Sequence, residues 1–374
     1  MSDADKTPAQ LDIQEQAEPE NIIQDKAERK KKIRRKLFGV RMAVFCAVCL
    51  IVLTWVIYVL TPKYTYGICS IMNYYYNVPK DTVDVLAVGT SLSYTDLNTN
   101  ILWNEYGIAC YVLSTAEQPF WSTYYYLKEA FRVQKPKMVL LDMKAITYLE
   151  TKVDRTRTVL CSFGIMEPVN RLKCIYECVE PQEFMGYALA FPQIHTNYKG
   201  FVPVMLDLPP TNGGKGPTWK GYIEKDEHAD HDAPSINFAF KTAKYVNEHE
   251  AEYFRKCLEL CIEEDVPVVL VGYPNADYKH DHLYYCSAVE ISQEYGDITC
   301  LNYNLPENAT GIDYHTDCAD WQHLNVNGSV TFTRAIGEDL VEMFDLEDHR
   351  GDPKYSSYDE CAELWFSEYP QYYR

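Results

Sequence analysis

Val83-Asp84-Val85-Leu86-Ala87-Val88-Gly89-Thr90-Ser91 is the stretch of sequence that decides the fold. Its apolar part, up to Val88, is typical of a strand that is buried on both faces of a parallel sheet. Gly89 and Thr90 interrupt the apolar run, and Ser91 follows them directly. The stretch therefore predicts a buried strand that enters a tight turn and presents a serine at its carboxyl end.

A regular alternation of strand and helix patterns continues downstream of this stretch. Continuous apolar strands separated by helices favour a parallel sheet covered on both faces. We therefore predict an α/β fold, a flavodoxin-like three-layer α/β/α arrangement with a mostly parallel sheet, preceded by one N-terminal transmembrane helix. The predicted strands are 83–88, 108–113, 137–142, 266–271 and 298–303, and the predicted helices are about 97–106, 119–134, 241–264, 282–295 and 327–345.

The N-terminal region has the composition of a membrane anchor. The stretch from Met42 to Thr61 carries no charged residue, and a helix of that length rises about 30 Å, the thickness of the hydrocarbon layer. Trp55 and Tyr58 near its end suit an uncleaved anchor better than a cleaved signal peptide. Lys and Arg cluster at 26–41, so we expect a single-pass protein of the cell membrane with a cytoplasmic N-terminus and an extracellular remainder. A buried core helix is the alternative.

The segments around the predicted sheet differ from it in composition. Residues 146–240 contain Pro-rich, Gly-rich and charged runs, and we expect an insertion that caps the sheet and shapes the substrate cleft. Residues 1–25 show no apolar periodicity, so they are expected to be disordered. The predicted domains are a disordered, basic cytoplasmic tail at 1–41, a transmembrane helix at 42–61, a stalk at 62–80, an extracellular domain at 81–345 that contains the insertion, and a C-terminal surface tail at 346–374.

Charge and cysteine content narrow the functional class. The chain has a net charge of -19, which repels phosphates and argues against nucleic-acid binding despite the basic cluster. Its 13 cysteines do not follow the spacing of a zinc site, and disulfide pairing in an oxidising compartment stays open. The run from Asp226 to Asp232 is rich in Asp and His but lacks the histidine spacing of helical zinc sites. We therefore expect no cofactor.

A second informative stretch lies far from the first, at Asp320-Trp321-Gln322-His323-Leu324-Asn325. It follows the last predicted strand, so it reaches the same carboxyl edge of the sheet as Ser91. A serine hydroxyl attacks an acyl carbon when a base takes its proton, and that base works best when a carboxylate orients it. The two stretches supply all three groups and predict a serine-dependent acyl-transfer enzyme. As the orienting acid we favour Asp320 over Asp313 and Asp317.

Together these motifs resemble those of the SGNH (GDSL-like) hydrolase family. Gly89-Thr90-Ser91 is similar to the first block of that family, and Asp320 and His323 are similar to its Asp-x-x-His block. The resemblance implies that Ser91 attacks the acyl carbonyl, that His323 acts first as base and then as acid, and that Asp320 orients His323.

The resemblance covers roughly 83–145 and 241–345, and it also implies an oxyanion hole. The family uses the backbone N–H at the serine and donors from its second and third blocks. The third block departs from the pattern, because Asp142-Met143-Lys144 stands where the family has Gly-x-Asn-Asp. The loss of one oxyanion donor typically costs about 2.7–4 kcal/mol of barrier. The candidate oxyanion and substrate-binding residues are Gly89, Leu92, Gln118, His195 and Asn325.

The single anchor and the outward domain are similar to the SGNH-like acyltransfer proteins of cell envelopes. These include the D-alanyl transfer protein of lipoteichoic-acid operons and the alginate O-acetylation proteins. The resemblance implies a cell-surface glycan or teichoic polymer as substrate, and a multi-spanning membrane O-acyltransferase as the partner that supplies the acyl group. We therefore expect an esterase or O-acyltransferase that works through acyl-Ser91. The alternatives are a non-catalytic SGNH-fold surface protein that binds a glycan or the membrane partner, and a zinc-dependent hydrolase built on the histidines of the insertion.

Overall fold

The structure is a computed structural model of a chain that forms two compact units, Met1–Thr61 and Pro62–Arg374. Each unit is described by itself. The residues described are 8–60, 71–189, 219–234, 245–308 and 310–374.

The first unit is one helix, α1 (Pro8–Leu60). It contains a segment between Ile22 and Ile57 that is long and apolar enough to cross a membrane, and none of that segment is buried. The alternative of a buried core helix is therefore wrong for this structure. The expectation of disorder is also wrong from Pro8 onwards, because the Gln, Glu, Ala, Lys and Arg residues that dominate this region favour helix.

The second unit is built on a five-stranded sheet with the strand order β2-β1-β3-β4-β5, in which all neighbouring strands are parallel. This confirms the predicted α/β class and the parallel sheet. Because β1 lies between β2 and β3, the turn that follows β1 is flanked by the ends of both neighbours. The strands are β1 (Val85–Gly89), β2 (Cys110–Ser114), β3 (Met138–Asp142), β4 (Val268–Gly272) and β5 (Thr299–Asn302).

Helices flank this sheet, and each face of the sheet has its own buried core. The helices are α2 (Ile71–Tyr75), α3 (Ser91–Asp96), α4 (Thr99–Tyr106), α5 (Phe120–Val133), α6 (Arg155–Ser162), α7 (Pro168–Cys178), α8 (Phe184–Leu189), α9 (Glu248–Glu263), α10 (Tyr278–Ser292), α11 (Val326–Met343) and α12 (Ser356–Glu368). Leu86 and Val88 of β1 pack in one core, with residues of α5, α7 and α9. Val85 and Ala87 pack in the other, with residues of α3, α4 and α11. Both faces of β1 are therefore buried, as its continuous apolar sequence predicts.

The C-terminal residues form a packed helix instead of the predicted surface tail. Tyr358, Trp365 and Phe366 of α12 are buried in a third cluster, which also contains Trp103 and Trp219. Aromatic side chains recur at helical spacing along α12, and their large apolar surfaces favour burial in spite of their polar groups. The prediction failed because it treated these aromatic residues as surface residues.

The stalk prediction is also wrong for residues 71–80, whereas residues 61–70 lie outside the described part of the chain. Ile71, Met72 and Tyr75 of α2 are buried in the first core. The hydroxyl of Tyr111 donates a hydrogen bond of 2.8 Å to the carbonyl of Ile71. This segment therefore belongs to the folded unit, because its apolar residues lie on one face of a helical turn.

Part of the predicted insertion packs beside the sheet. α6, α7 and α8 lie within residues 146–189, and Cys161 and Ile175 contribute to the first core. This part extends the helical layer, while residues 219–234 reach the site described below. The candidate His195 lies outside the described residues. All cysteines in the described ranges are free thiols.

Candidate active site

The turn after β1 brings Ser91 to the carboxyl edge of the sheet. Gly89 ends β1 with a φ of +150°, and a Cβ at this position would collide with the side chain of Asp142 at the end of β3. Oδ2 of Asp142 accepts hydrogen bonds from the backbone N of Thr90 at 2.9 Å and from Thr90 Oγ1 at 2.5 Å. The neighbouring strand therefore holds the turn, and Ser91 follows as the first residue of α3.

Ser91, His323 and Asp320 form one hydrogen-bonded chain. Ser91 Oγ lies 2.7 Å from Nε2 of His323, although the two residues are 232 positions apart in sequence. Nδ1 of His323 lies 2.8 Å from Oδ2 and 2.9 Å from Oδ1 of Asp320. This is the arrangement of a nucleophile, a base within hydrogen-bonding distance of it, and a carboxylate that orients the base.

The loop between β5 and α11 fixes Asp320 and His323 relative to each other. Oδ1 of Asp320 accepts hydrogen bonds from the backbone N of Gln322 and from the backbone N of His323, each at 2.9 Å. The carboxylate therefore closes a short turn that returns the imidazole towards it. Asp317 instead accepts a hydrogen bond of 3.1 Å from the backbone N of Asp313. Of the three acids considered from the sequence, Asp320 is the one that contacts His323.

Burial and hydrogen bonding set the protonation of this pair. Burial raises the pKa of Asp320, but hydrogen bonds from Lys225, Gln322 and His323 outweigh it and hold that pKa well below its usual range. Burial lowers the pKa of His323, and the hydrogen bond with Asp320 partly opposes this effect. Burial therefore favours the neutral form of His323. Ionised Asp320 can only accept, so its contact with Nδ1 favours the tautomer that carries the proton there and leaves Nε2 to accept from Ser91.

Lys225 is a functional residue that the sequence analysis missed. It lies in the predicted insertion, and its Nζ is 2.9 Å from Oδ2 of Asp320 and 3.2 Å from Nδ1 of His323. A single lysine in an irregular, charged segment follows no recognisable pattern, so the sequence offered no signal for it.

Asp96 is a second residue that the sequence analysis missed. Its Oδ1 accepts hydrogen bonds from the backbone N of Leu324 at 3.0 Å and from Thr95 Oγ1 at 2.7 Å. Burial raises the pKa of Asp96 well above its usual range. Through this side chain, the helix that begins at Ser91 is bonded to the loop that carries His323. The sequence offered one signal for Asp96: it is an acidic residue at the end of the short helix that begins at Ser91.

Leu92 and Gln118 were predicted as oxyanion or substrate-binding residues. The backbone N of Leu92 donates a long hydrogen bond of 3.4 Å to Thr90 Oγ1, and its role as an oxyanion donor stays a prediction. Gln118 is buried, and its amide group hydrogen bonds with the hydroxyls of Thr115 and Thr123, each at 2.9 Å. Gln118 thus joins the loop after β2 to α5, and its role as an oxyanion donor stays a prediction.

Asn325 holds the loop that carries Asp320 and His323 at the start of α11. Its Oδ1 accepts a hydrogen bond of 3.1 Å from the backbone N of Gly328, as an N-cap residue does. Its Nδ2 donates to the carbonyls of Thr316 at 2.8 Å and Cys318 at 3.3 Å. The amide is thus engaged with the backbone, and a contact of Asn325 with substrate stays a prediction.

The arrangement as a whole can transfer a proton from a serine hydroxyl to an imidazole, which is the requirement for acyl transfer. Among the described residues, no group of three or more His, Cys, Asp or Glu side chains is placed to hold a metal ion. The zinc-dependent alternative therefore gains no support from that part of the chain. No protein-family model and no curated protein matches this chain.

Proposed function

We propose that this protein is a membrane-anchored serine esterase or O-acyltransferase of the SGNH type, which acts on a cell-envelope polysaccharide or teichoic polymer. The observation that carries the proposal is the hydrogen-bonded chain of Ser91, His323 and Asp320, with 2.7 Å between hydroxyl and imidazole. A serine directly after the first strand and an Asp-x-x-His run after the last strand support the SGNH assignment. The strand order β2-β1-β3-β4-β5 supports a flavodoxin-like, three-layer arrangement.

The proposed reaction has two steps. In the first, His323 Nε2 takes the proton of Ser91 Oγ while this oxygen bonds to the acyl carbon. The bond to the leaving oxygen then breaks, and His323 returns the proton to that oxygen, which leaves acyl-Ser91. In the second step His323 takes the proton of a sugar or polyol hydroxyl, or of water, and the resulting oxygen attacks the acyl carbon. Ser91 Oγ leaves with that proton, and the product is a new ester or a free acid.

The donors available to an oxyanion favour transfer from an activated acyl group. Asp142, in the third-block position, bonds to Thr90 and offers no proton when it is ionised. The donor proposed here is the backbone N–H of Leu92, beside Ser91. Each missing donor slows the reaction about 10²- to 10³-fold, so stable esters should be poor substrates. An acyl group delivered in reactive form by a multi-spanning membrane O-acyltransferase would compensate for that loss.

The proposed location and acceptor rest on two further features. The helix α1 contains a segment able to cross a membrane, and its Lys- and Arg-rich flank favours a cytoplasmic N-terminus and an extracellular domain. Trp321, between Asp320 and His323, is 62% exposed. An exposed indole beside the triad suits a sugar ring that stacks on it, which supports a cell-surface glycan as the acceptor.

Active-site labelling tests this proposal. The full-length protein in detergent is treated with a fluorophosphonate probe and, separately, with p-nitrophenyl acetate. Ser91→Ala is compared with Ser367→Ala, because the hydroxyl of Ser367 lies exposed on α12 and donates to the carbonyl of Leu364. We expect Ser91→Ala to lose both labelling and ester hydrolysis, and Ser367→Ala to keep both. Peptide mass spectrometry should place the label on Ser91.

Equal labelling of the wild type and Ser91→Ala would exclude the enzymatic proposal. The second candidate, a non-catalytic surface protein of the same fold, would then be favoured. The observations that support it are Asp142 in the third-block position and the engaged amide of Gln118. In that case the wild type and Ser91→Ala should bind a cell-envelope polysaccharide equally well.

A further inference from the structure

Lys225 contacts the acid–base pair from a segment separate from the catalytic loop. Its Nζ is 2.9 Å from Oδ2 of Asp320 and 3.2 Å from Nδ1 of His323. The side chains of Lys225 and Asp320 are 29% and 39% exposed, so Asp320 is a partly solvated carboxylate. Two backbone N–H groups fix its Oδ1, and Lys225 fixes its Oδ2. Together these donors hold the carboxylate in the plane that faces the imidazole.

Residues 219–226, here called the strap, carry Lys225. The strap begins in the third cluster, which contains the buried residues of α12. Trp219 and Tyr222 are fully buried. The carbonyl of Lys220 accepts a hydrogen bond of 2.8 Å from the backbone N of Val112 in β2. Gly221 has a φ of +92° and passes so close to Val112 that a Cβ would collide with the carbonyl oxygen. The start of the strap is therefore fixed against the sheet.

The end of the strap is bonded to the two helices that adjoin the triad. The backbone N of Ile223 donates to the carbonyl of Tyr94 in α3 at 2.7 Å, and the backbone N of Val326 in α11 donates to the carbonyl of Lys225 at 3.0 Å. The hydroxyl of Tyr222 lies 2.9 Å from Ser329 Oγ in α11. These contacts fix the backbone of Lys225 without any contribution from its ion pair with Asp320. The fold therefore places the ammonium group of Lys225 next to Asp320.

We propose that Lys225 is a positioning residue of the triad, which fixes the Asp320 carboxylate towards His323 and holds a positive charge beside the imidazole. The inference rests on the proposed function and adds a fourth member to its machinery. Lys225 is placed to act through Asp320 and His323, without touching Ser91 or substrate.

Charged groups from three other elements surround Asp320 and His323. Asp320 from its own loop, Lys225 from the strap and Lys144 from the end of β3 act on His323, while Asp96 of α3 faces Asp320 and Lys225. Lys144 is paired with buried Asp281 at 2.6 Å, whereas Lys225 is in direct contact with the imidazole. Burial is the largest cause of the lowered pKa of His323, Asp320 opposes it, and both lysines add to it.

The sign of the pH effect follows from this charge arrangement. A base accepts the proton of Ser91 only when it is deprotonated, so activity falls as the pH drops through the pKa of His323. Removal of Lys225 takes away a positive charge beside Nδ1, which raises that pKa. The acidic fall in activity should therefore begin at a higher pH in a variant that lacks this lysine.

The test compares Lys225→Met, Lys225→Arg and Lys220→Met in the full-length protein. Lys220 lies on the same strap, but its Nζ bonds to Ser357 at 2.8 Å and lies 4.3 Å from the centre of the Tyr358 ring. Two quantities are measured: the pH profile of kcat/KM for p-nitrophenyl acetate, and hydrogen exchange at the imidazole C2 of His323 by mass spectrometry. The second reports the pKa of His323 without any need for activity.

We expect Lys225→Met to shift both midpoints to higher pH, Lys225→Arg to restore them, and Lys220→Met to leave them at the wild-type position. An unchanged exchange midpoint in folded Lys225→Met overturns the proposal. A loss of rate with an unchanged pH profile also overturns it, because the lysine would then contribute only to packing. The two proposals can fail separately. If the exchange midpoint of Lys225→Met shifts but the wild type hydrolyses no ester, the role of Lys225 is supported and only the proposed function is contradicted.

Discussion

Asp320→Asn tests whether the carboxylate of Asp320 orients His323. The change keeps the size of the side chain and replaces one carboxylate oxygen with an NH₂ group. The remaining oxygen can still accept from the backbone N of Gln322 and His323. The NH₂ group takes the place of Oδ2 and faces Nδ1 of His323 and Nζ of Lys225, which both donate to Asp320. The remaining oxygen, Oδ1, also lies 2.9 Å from Nδ1, but it already accepts from two backbone N–H groups. A donor cannot face a donor favourably, so the imidazole proton moves to Nε2, and Nε2 can no longer accept from Ser91.

The expected loss is about 10⁴-fold in kcat, as for the corresponding change in serine proteases. At 1.36 kcal/mol for each factor of ten, this is about 5.4 kcal/mol of barrier. The rate of fluorophosphonate labelling and the release of p-nitrophenol measure the loss. Asp313→Asn is the matched control, because Asp313 is an exposed acid of the same loop that accepts from the backbone N of His315. Labelling of Asp320→Asn at Ser91 within about tenfold of the wild-type rate would refute the reasoning.

Three further substitutions, one of them with a control variant, test the turn before Ser91, the packing of α12 and the proposed acceptor site. Gly89→Ala should lower the free energy of unfolding in urea by about 1–3 kcal/mol, because its Cβ collides with Asp142. Gly296→Ala, at a φ of +105° with no atom within 4 Å, measures the backbone strain alone, and equal losses in the two variants would argue against the collision. Trp365→Ala should cost about 3–5 kcal/mol of stability by the same measurement, because the indole is fully buried; a loss under about 1 kcal/mol would contradict the packing of α12. Trp321→Ala should raise KM for a polysaccharide acceptor up to about tenfold, equivalent to about 0.5–1.5 kcal/mol of stacking, and leave p-nitrophenyl acetate hydrolysis unchanged. An unaltered KM for the polysaccharide would exclude stacking.

The strands could be predicted because both of their faces are buried. Adjacent residues such as Val85 and Leu86 pack in different cores, so the whole strand is apolar and is visible as a continuous run. The helix α12 escaped prediction because its largest buried residues, Tyr358, Trp365 and Phe366, are aromatic, and aromatic residues such as tyrosine also occur on surfaces. Only the contact with Trp103 and Trp219 decides which of these residues are buried. That contact joins distant segments, so the helical spacing of the aromatic residues could not by itself distinguish a buried face from a surface.

The triad could be predicted because each of its parts is a local pattern with a local cause. The close approach of Asp142 requires glycine at 89, and the spacing of Asp320 and His323 follows from the hydrogen bond that closes their turn. Lys225 has no such local cause, since its partner Asp320 is 95 positions away. Any lysine of the insertion would have been an equal candidate. Tertiary structure alone selects it.

The departure at the third block has a physical explanation that bears on the kind of reaction. Oδ1 of Asp142 accepts from the backbone N of Lys144 at 2.8 Å, and its Oδ2 accepts two hydrogen bonds from Thr90. Both oxygens are therefore acceptors, a role that the amide nitrogen of an asparagine could not fill. Asp142 thus supports the turn before Ser91, at the position where the SGNH pattern that this sequence resembles has an oxyanion donor. An enzyme that gives up this donor retains a well-oriented nucleophile and base but stabilises the oxyanion less. Such an enzyme should transfer activated acyl groups efficiently and hydrolyse stable esters slowly, which favours the transferase over the esterase within the proposed function.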